Sequence, residues 1–164
     1  MRPIVPAGFA FVAGVAALVA CGGGTATGAA ATAPVGSASL AMQSFYKAAA
    51  DSNLARMAQL WGTADGPAAQ TGQPTGWEKR VIVMQAYLRG DSAILVSDVP
   101  VSGSDNQRRL IVALWRFGCV KQIPATVTRT KTGGWLVQEV DIVAAGNPAR
   151  PCEPDNEQLD ALTR

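Results

Sequence analysis

The sequence predicts an α+β fold in which three N-terminal helices pack on a mostly antiparallel sheet of four strands. Up to residue 90 the apolar residues recur at helical spacing, and beyond it runs rich in Val, Ile and Leu alternate with turns. Helices gathered before a meander of strands are typical of folds whose helices cover one sheet face. The 164 residues are enough for one such domain.

The first two helices are predicted by apolar residues spaced three, four and seven positions apart. In the first helix these residues are Met42, Phe45, Tyr46 and Ala49, and in the second they are Leu54, Met57, Ala58 and Trp61. Asp51 or Ser52 is the predicted N-cap of the second helix, and Gly62 is its predicted end.

A third helix is predicted to begin at Trp77, after a loop rich in Gly, Pro and Thr. Thr75 and Glu78 have the spacing of a capping box, and Gly90 is the predicted stop. The remaining apolar positions of this helix are Val81, Met84 and Leu88.

Four strands are predicted after the third helix, because short runs rich in β-branched residues are separated by turn residues. The strands are 93–101, 108–117, 119–130 and 135–143. Pro124 removes a backbone donor from the third strand, which predicts an edge position or a bulge there.

Composition argues against several classes of function. The formal net charge is only +2 and no basic stripe is present, so nucleic acid is not an expected partner. The chain has no histidine, which excludes Ser-His-Asp, Cys-His and His-zinc sites. Its three cysteines lack CxxC spacing, so we predict no metal and no cofactor.

The first 21 residues predict export and membrane anchoring. Arg2 precedes an apolar stretch that has the layout of a secretory signal and is too short for a membrane span. The stretch ends in "LVAC", residues 18–21, which resembles the lipobox of bacterial lipoproteins. The resemblance implies cleavage after Ala20 and transfer of acyl chains, such as palmitate, to the protein through Cys21. An ordinary signal peptide with an incidental cysteine is the alternative.

The same resemblance implies a location. Gly22 follows the lipidated cysteine, whereas an aspartate at that position commonly retains lipoproteins at the inner membrane. In a bacterium with two membranes, the expected location is therefore the periplasmic side of the outer membrane.

The chain is predicted to divide into four parts. Residues 1–20 are the signal peptide, and 21–38 form a flexible tether, because they carry no charge and almost no large side chain. The α+β domain spans 39–143. A Pro-rich tail, 144–164, follows with a short helix capped by Asp155.

The two cysteines that remain after lipidation are predicted to form a disulfide. An exported chain enters an oxidising compartment, and Cys119 and Cys152 are an even pair. The bond would fasten the Pro-rich tail to the start of the third strand. Two free buried thiols are the alternative.

The domain resembles the NTF2-like, cone-shaped α+β proteins over residues 39–143. The resemblance rests on an amphipathic helix near the start, "FYKAAADSNLARMAQLWG", and on a closing strand that follows a turn glycine, Gly-Gly-Trp135-Leu136-Val137. It implies a pocket at the open end of the cone. Some members of this superfamily are enzymes. Those related to ketosteroid isomerase or to SnoaL-type polyketide cyclases hold an acidic base in this pocket, so the resemblance also implies that such a base is possible here.

Four residues are candidates for such a pocket. Asp98, Glu139 and Asp141 are the carboxylates that the resemblance would make a base, and Tyr46 would donate a hydrogen bond into the pocket. Strand alternation groups Glu139 and Asp141 with Trp135 and Val137 on one face. The opposing interpretation, which we favour, is that the carboxylates face water on a one-sided sheet and that Tyr46 is a core residue.

No pattern of nucleophile and base is present, so the sequence favours a non-catalytic function. We expect a membrane-anchored domain that binds an apolar small molecule or an envelope protein. One alternative is a pocket enzyme of the isomerase or cyclase type with a carboxylate base. Another is an envelope assembly lipoprotein that docks through its sheet.

Overall fold

The structure is a computed structural model that describes residues 35–152, and these form an α+β fold with a four-stranded antiparallel sheet. The predicted class and the predicted sheet are confirmed. The predicted signal peptide, Cys21 and nearly all of the predicted tether lie outside the described residues, as does the segment 153–164. Within residues 35–152, no helix is long and apolar enough to cross a membrane.

Four helices lie in the described part of the chain, one more than the sequence predicts. They are α1 (Ala38–Ala50), α2 (Leu54–Leu60), α3 (Ala68–Thr71) and α4 (Trp77–Leu88). The additional helix α3 and two short strands, β1 (Gly62–Thr63) and β2 (Gly66–Pro67), occupy a stretch predicted to be a loop. Elements of two to four residues are too short to produce a periodic pattern in the sequence, so they were not predicted.

The N-cap of α2 differs from the prediction. It is Asn53, whose Oδ1 accepts a hydrogen bond from the Arg56 backbone N–H at 2.9 Å. Asp51 instead ends α1 as its C-cap, and Ser52 between the two helices has a φ of 54°. The second helix therefore begins one or two residues later than predicted, because Asp51 and Ser52 form the turn between the helices.

The starts of α1 and α4 are built in different ways. At α1, the Oγ of Ser37 accepts a hydrogen bond from the Leu40 backbone N–H at 3.2 Å. At α4 the N-cap is Gly76, and no side chain caps the helix. The capping box predicted from Thr75 and Glu78 is therefore wrong.

The main sheet contains four strands that lie side by side in chain order. They are β3 (Ser92–Val101), β4 (Ser104–Arg116), β5 (Cys119–Arg129) and β6 (Trp135–Val140). Pro124 lies one residue outside the part of β5 that pairs with β6. The Pro124 carbonyl accepts a hydrogen bond from the Asp141 N–H at 2.9 Å. In an antiparallel strand the nitrogen and the carbonyl of one residue point to the same side, so the Pro124 nitrogen, which has no hydrogen to donate, also points toward β6, just beyond the last paired residues.

The helices bury the inner face of the sheet, which we define by the β4 and β5 side chains in the core. These side chains are Leu110, Val112, Leu114, Ile123, Ala125 and Val127. Helix α1 contributes the four apolar residues that its spacing predicts, and all are buried. Burying one large apolar side chain contributes about 1.5–3 kcal/mol, so this contact is a main source of stability.

Trp61, which follows α2, fastens β6 to the helices. Its Nε1 donates a hydrogen bond to the Gln138 carbonyl at 3.0 Å. A register shift against β5 leaves Gln138 as an extra residue, which is a β-bulge. The bulge lets both Val137 and Val140 enter the core, so the predicted alternation that grouped Val137 with Glu139 is wrong.

The Pro-rich tail folds back on the domain as far as it is described. Ala145 is buried in the core cluster. Farther along, Cys152 lies at disulfide distance from Cys119, with the two Cα atoms 5.4 Å apart. This agrees with the predicted pairing and holds the tail beside the start of β5.

Replacing both cysteines of this pair by alanine is expected to lower the free energy of unfolding by about 3–4 kcal/mol, because the bond closes a loop over a sequence separation of 33. The measurement is urea unfolding of the full chain carrying Cys21→Ser, with and without Cys119→Ala and Cys152→Ala. A reductant should weaken the chain that keeps the pair and leave the double alanine variant unchanged. Alkylation of both thiols in the folded, unreduced protein would contradict the bond.

Candidate functional site

A cavity of about 220 Å³ lies where α1, the end of α4 and the start of β3 meet. Its inner wall is formed by three buried side chains, those of Tyr46, Leu88 and Leu114. Its mouth is polar, because exposed residues from α1 and from the chain entering β3 line it. These residues are Gln43, Lys47, Asp91 and Ser92.

Gly90 allows the chain to pass close to the sheet beside this cavity. A Cβ at Gly90 would lie 2.6 Å from the Leu114 Cδ1 and 2.6 Å from the Trp115 carbonyl oxygen. Any larger residue would displace the backbone of β4, so glycine is required sterically here. The sequence predicted Gly90 as a helix stop and gave no sign that it lines a cavity.

The C-terminal end of α4 is held in place by Arg116, which projects from β4. Its Nε donates to the Arg89 carbonyl at 2.8 Å, and a second guanidinium nitrogen donates to the Tyr87 carbonyl. The Arg116 side chain is only 5% exposed. Burial lowers the pKa of Arg116, and the nearby Asp91 carboxylate partly opposes that effect. Arg116 thereby positions Leu88, which forms part of the cavity wall.

Tyr46, one of the residues that line the cavity, has an unusual hydroxyl group. Tyr46 is 4% exposed, and its hydroxyl oxygen is the one buried side-chain polar atom within residues 35–152 that has no hydrogen-bond partner. The ring is fixed by edge-on contact with Phe45, with centroids 6.4 Å apart. An unpaired buried hydroxyl costs about 1–3 kcal/mol. Burial also raises the pKa of Tyr46, so the phenol remains a neutral donor.

Asp98 does not line this cavity and takes part in a different set of contacts. Its carboxylate forms an ion pair with the Arg108 Nε at 2.5 Å and accepts a hydrogen bond from the Ser39 hydroxyl at 2.7 Å. These contacts connect α1 to β3 and β4. The arrangement fits a structural clasp and leaves the carboxylate already paired on both oxygens.

Glu139 and Asp141 lie together at the end of β6, away from Tyr46. Both are exposed and line an open groove of about 600 Å³ together with Arg109. One oxygen of Asp141 accepts hydrogen bonds from the backbone N–H groups of Val143 and Ala144, each at 3.0 Å. That carboxylate therefore fixes the turn into the tail, and the predicted pocket residues fall into three separate places.

A second groove, of about 410 Å³, lies between α4 and β6. The exposed cations Lys79 and Arg80 stand on one side of it and Glu139 on the other, with Val83 and Trp61 between them. The groove contains no buried polar atom that lacks a hydrogen bond. The Tyr46 cavity is therefore the better candidate for a specific ligand site, because only there, among the described residues, does a lining residue have a buried polar atom without a partner.

Comparison with known proteins assigns no family to the chain. No family model matches it, and neither a curated protein nor a solved structure does. Among residues 35–152, no group of three or more His, Cys, Asp or Glu side chains is placed to hold a metal ion.

Tyr46→Phe is expected to raise the free energy of unfolding of the ligand-free protein by about 1 kcal/mol, because it removes a buried hydroxyl that has no partner. The measurement is urea unfolding of the full chain, with Tyr87→Phe as the matched control that should change stability by less than about 0.5 kcal/mol. A loss of stability in Tyr46→Phe would mean that the hydroxyl is already hydrogen-bonded, which contradicts a free donor.

Proposed function

We propose that this chain is an exported lipoprotein whose NTF2-like domain binds a small, mostly apolar molecule in the Tyr46 cavity. The single observation that carries the proposal is the buried Tyr46 hydroxyl that has no hydrogen-bond partner. A bound molecule with a hydrogen-bond acceptor, such as a carbonyl or ether oxygen, would satisfy it. The α+β order and the one-sided helix layer are consistent with the NTF2-like resemblance.

The size of the cavity limits the ligand. Buried side chains close the inner wall of the Tyr46 cavity, so a ligand there is confined to about 220 Å³. An apolar cavity of about 150 Å³ is enough to bind benzene. A molecule with one ring and a single acceptor therefore fits. The buried walls favour a neutral ligand, because burying an unpaired charge is far more costly than burying a polar group.

Binding is proposed rather than catalysis because the predicted bases lie elsewhere. Asp98 is already paired with Arg108, and Glu139 and Asp141 are exposed at the other end of the sheet. The one carboxylate at the mouth of the cavity is that of Asp91, which is exposed and accepts a hydrogen bond from the Phe117 N–H at 2.8 Å. An isomerase or cyclase of the predicted kind needs a carboxylate inside the apolar pocket.

The anchor gives the proposed binding a location. Lipid on Cys21 would hold the domain to a bacterial membrane, and the segment 22–34 separates that residue from the described domain. A flexible chain of that length has an average reach of roughly 20 Å. The cavity would then work close to the bilayer surface of the cell envelope, where apolar small molecules accumulate.

Cys21→Ser is expected to release the protein from the membrane fraction, because serine has no thiolate to accept the lipid. The measurement is membrane fractionation together with metabolic labelling by a tagged fatty acid. Gly22→Ser is the matched control and should remain lipidated and membrane-bound. A Cys21→Ser protein that still carries label would contradict the anchor.

Cyclohexanone and methylenecyclohexane test the proposed ligand chemistry, because the two molecules have the same shape and only the ketone has a strong acceptor. In Tyr46→Phe, the affinity for cyclohexanone is expected to fall about fivefold relative to the unsubstituted chain, and the affinity for methylenecyclohexane should not fall. The measurement is titration followed by chemical-shift changes in the full chain.

Ala93→Leu provides the control for the position of the site, because Ala93 lines the cavity and a leucine there would fill it. Both probes should lose binding in that variant. Equal losses for both probes in Tyr46→Phe would contradict donation by the hydroxyl. Unchanged binding of both probes in Ala93→Leu would place the site elsewhere.

A further inference from the structure

The outer face of the sheet, opposite the helices, bears an apolar patch. We define the outer patch as Ile94, Val96, Ile111, Trp115 and Val120. The pairing of β3, β4 and β5 brings these residues together, since Trp115 lies opposite Val120 and Ile94 lies opposite Ala113 on β4.

Three of the five outer-patch residues are exposed within the described part of the chain, whereas Ile111 and Trp115 are partly buried. Ile94 is 56% exposed and Val120 is 51% exposed, and Val96 is exposed to a similar extent. Contiguous exposed apolar residues of this kind mark a surface that is normally covered by another chain or another segment. The patch also carries no charged side chain, which distinguishes it from the opposite end of the same face, where Arg109 and Glu139 lie.

The described chain ends beside this patch. Cys152 lies at disulfide distance from Cys119, with 5.4 Å between their Cα atoms, and Val120 is the next residue. Consecutive Cα atoms are about 3.8 Å apart, so the Cα of Cys152 lies within about 9 Å of the Cα of Val120. The twelve residues that follow, 153–164, thus start at the border of the outer patch.

We propose that the segment 153–164 docks on the outer patch as a short helix. Its sequence "EPDNEQLDALTR" offers Asp155 as N-cap, and it places Leu159 and Leu162 three positions apart on one side. A helix of eight residues is about 12 Å long. The patch extends about 13 Å along β4, which is the four-residue span from Ile111 to Trp115 at strand rise. The segment and the patch therefore match in length.

Charge and tethering support the same occupant. Residues 35–152 contain twelve lysines and arginines against eight aspartates and glutamates, whereas 153–164 contains one arginine against four acidic residues. The two parts therefore attract one another electrostatically. Attachment at Cys152 also gives the segment a millimolar effective concentration at the patch, which favours docking. The docked segment competes with any protein that binds this face.

Thiol labelling tests the docking in the full chain carrying Cys21→Ser, with the Cys119–Cys152 bond left oxidised. Ile94→Cys introduces a thiol within the patch. Ile82→Cys introduces one on α4 at a residue that is 53% exposed, which matches Ile94 but lies away from the outer face. The Ile94→Cys thiol is expected to react with a maleimide about tenfold more slowly than the Ile82→Cys thiol, because docking covers it for most of the time.

Combining each variant with Leu159→Ser and Leu162→Ser identifies what covers the patch. If the segment does, these substitutions bring the Ile94→Cys rate up to the Ile82→Cys rate and leave the latter unchanged. Protection at Ile94→Cys that survives both serines and rises with protein concentration would show that a second copy covers the face, which overturns the proposal. Equal rates for the two thiols before any tail substitution would show an uncovered patch, which also overturns it.

Discussion

The packing of α1 on the inner face of the sheet determines the other features of this domain. One face of the helix carries Met42, Phe45 and Tyr46, and all three are buried against the sheet and the other helices. Once Phe45 occupies the centre of the core, helical geometry places the Tyr46 ring at the border of that core. The cavity beside it is formed by the path of the chain from α4 into β3, which Gly90 permits and Arg116 holds in place.

The two faces of this sheet are covered in different ways. The inner face is closed by helices and is reinforced by the Asp98 clasp to Ser39 and Arg108. The outer face is left with an apolar half and a charged half. The Pro-rich tail connects these two sides, because it contributes Ala145 to the core and then reaches Cys119 at the border of the outer patch. The proposed docking of 153–164 would complete the coverage of the sheet.

The fold class could be predicted because its signals are local. The period of α1, the four β-rich runs and the even pair of cysteines can each be found within a short window or from parity alone. The site could not be predicted, because it depends on contacts between distant residues. The Arg116 side chain holds the end of α4 beside the cavity through the Arg89 and Tyr87 carbonyls, which lie 27 and 29 positions earlier in the chain. The bulge at Gln138 reverses the side on which neighbouring residues of β6 lie, and strand alternation alone carries no sign of it.

The central claim is that the Tyr46 hydroxyl is a free donor for the acceptor of a bound molecule. The most direct measurement is the infrared stretching frequency of the carbonyl in isotope-labelled cyclohexanone bound to the full chain. A hydrogen bond to the carbonyl oxygen lowers this frequency, so a lower value is expected with the unsubstituted chain than with Tyr46→Phe. The same frequency in both proteins would contradict the claim.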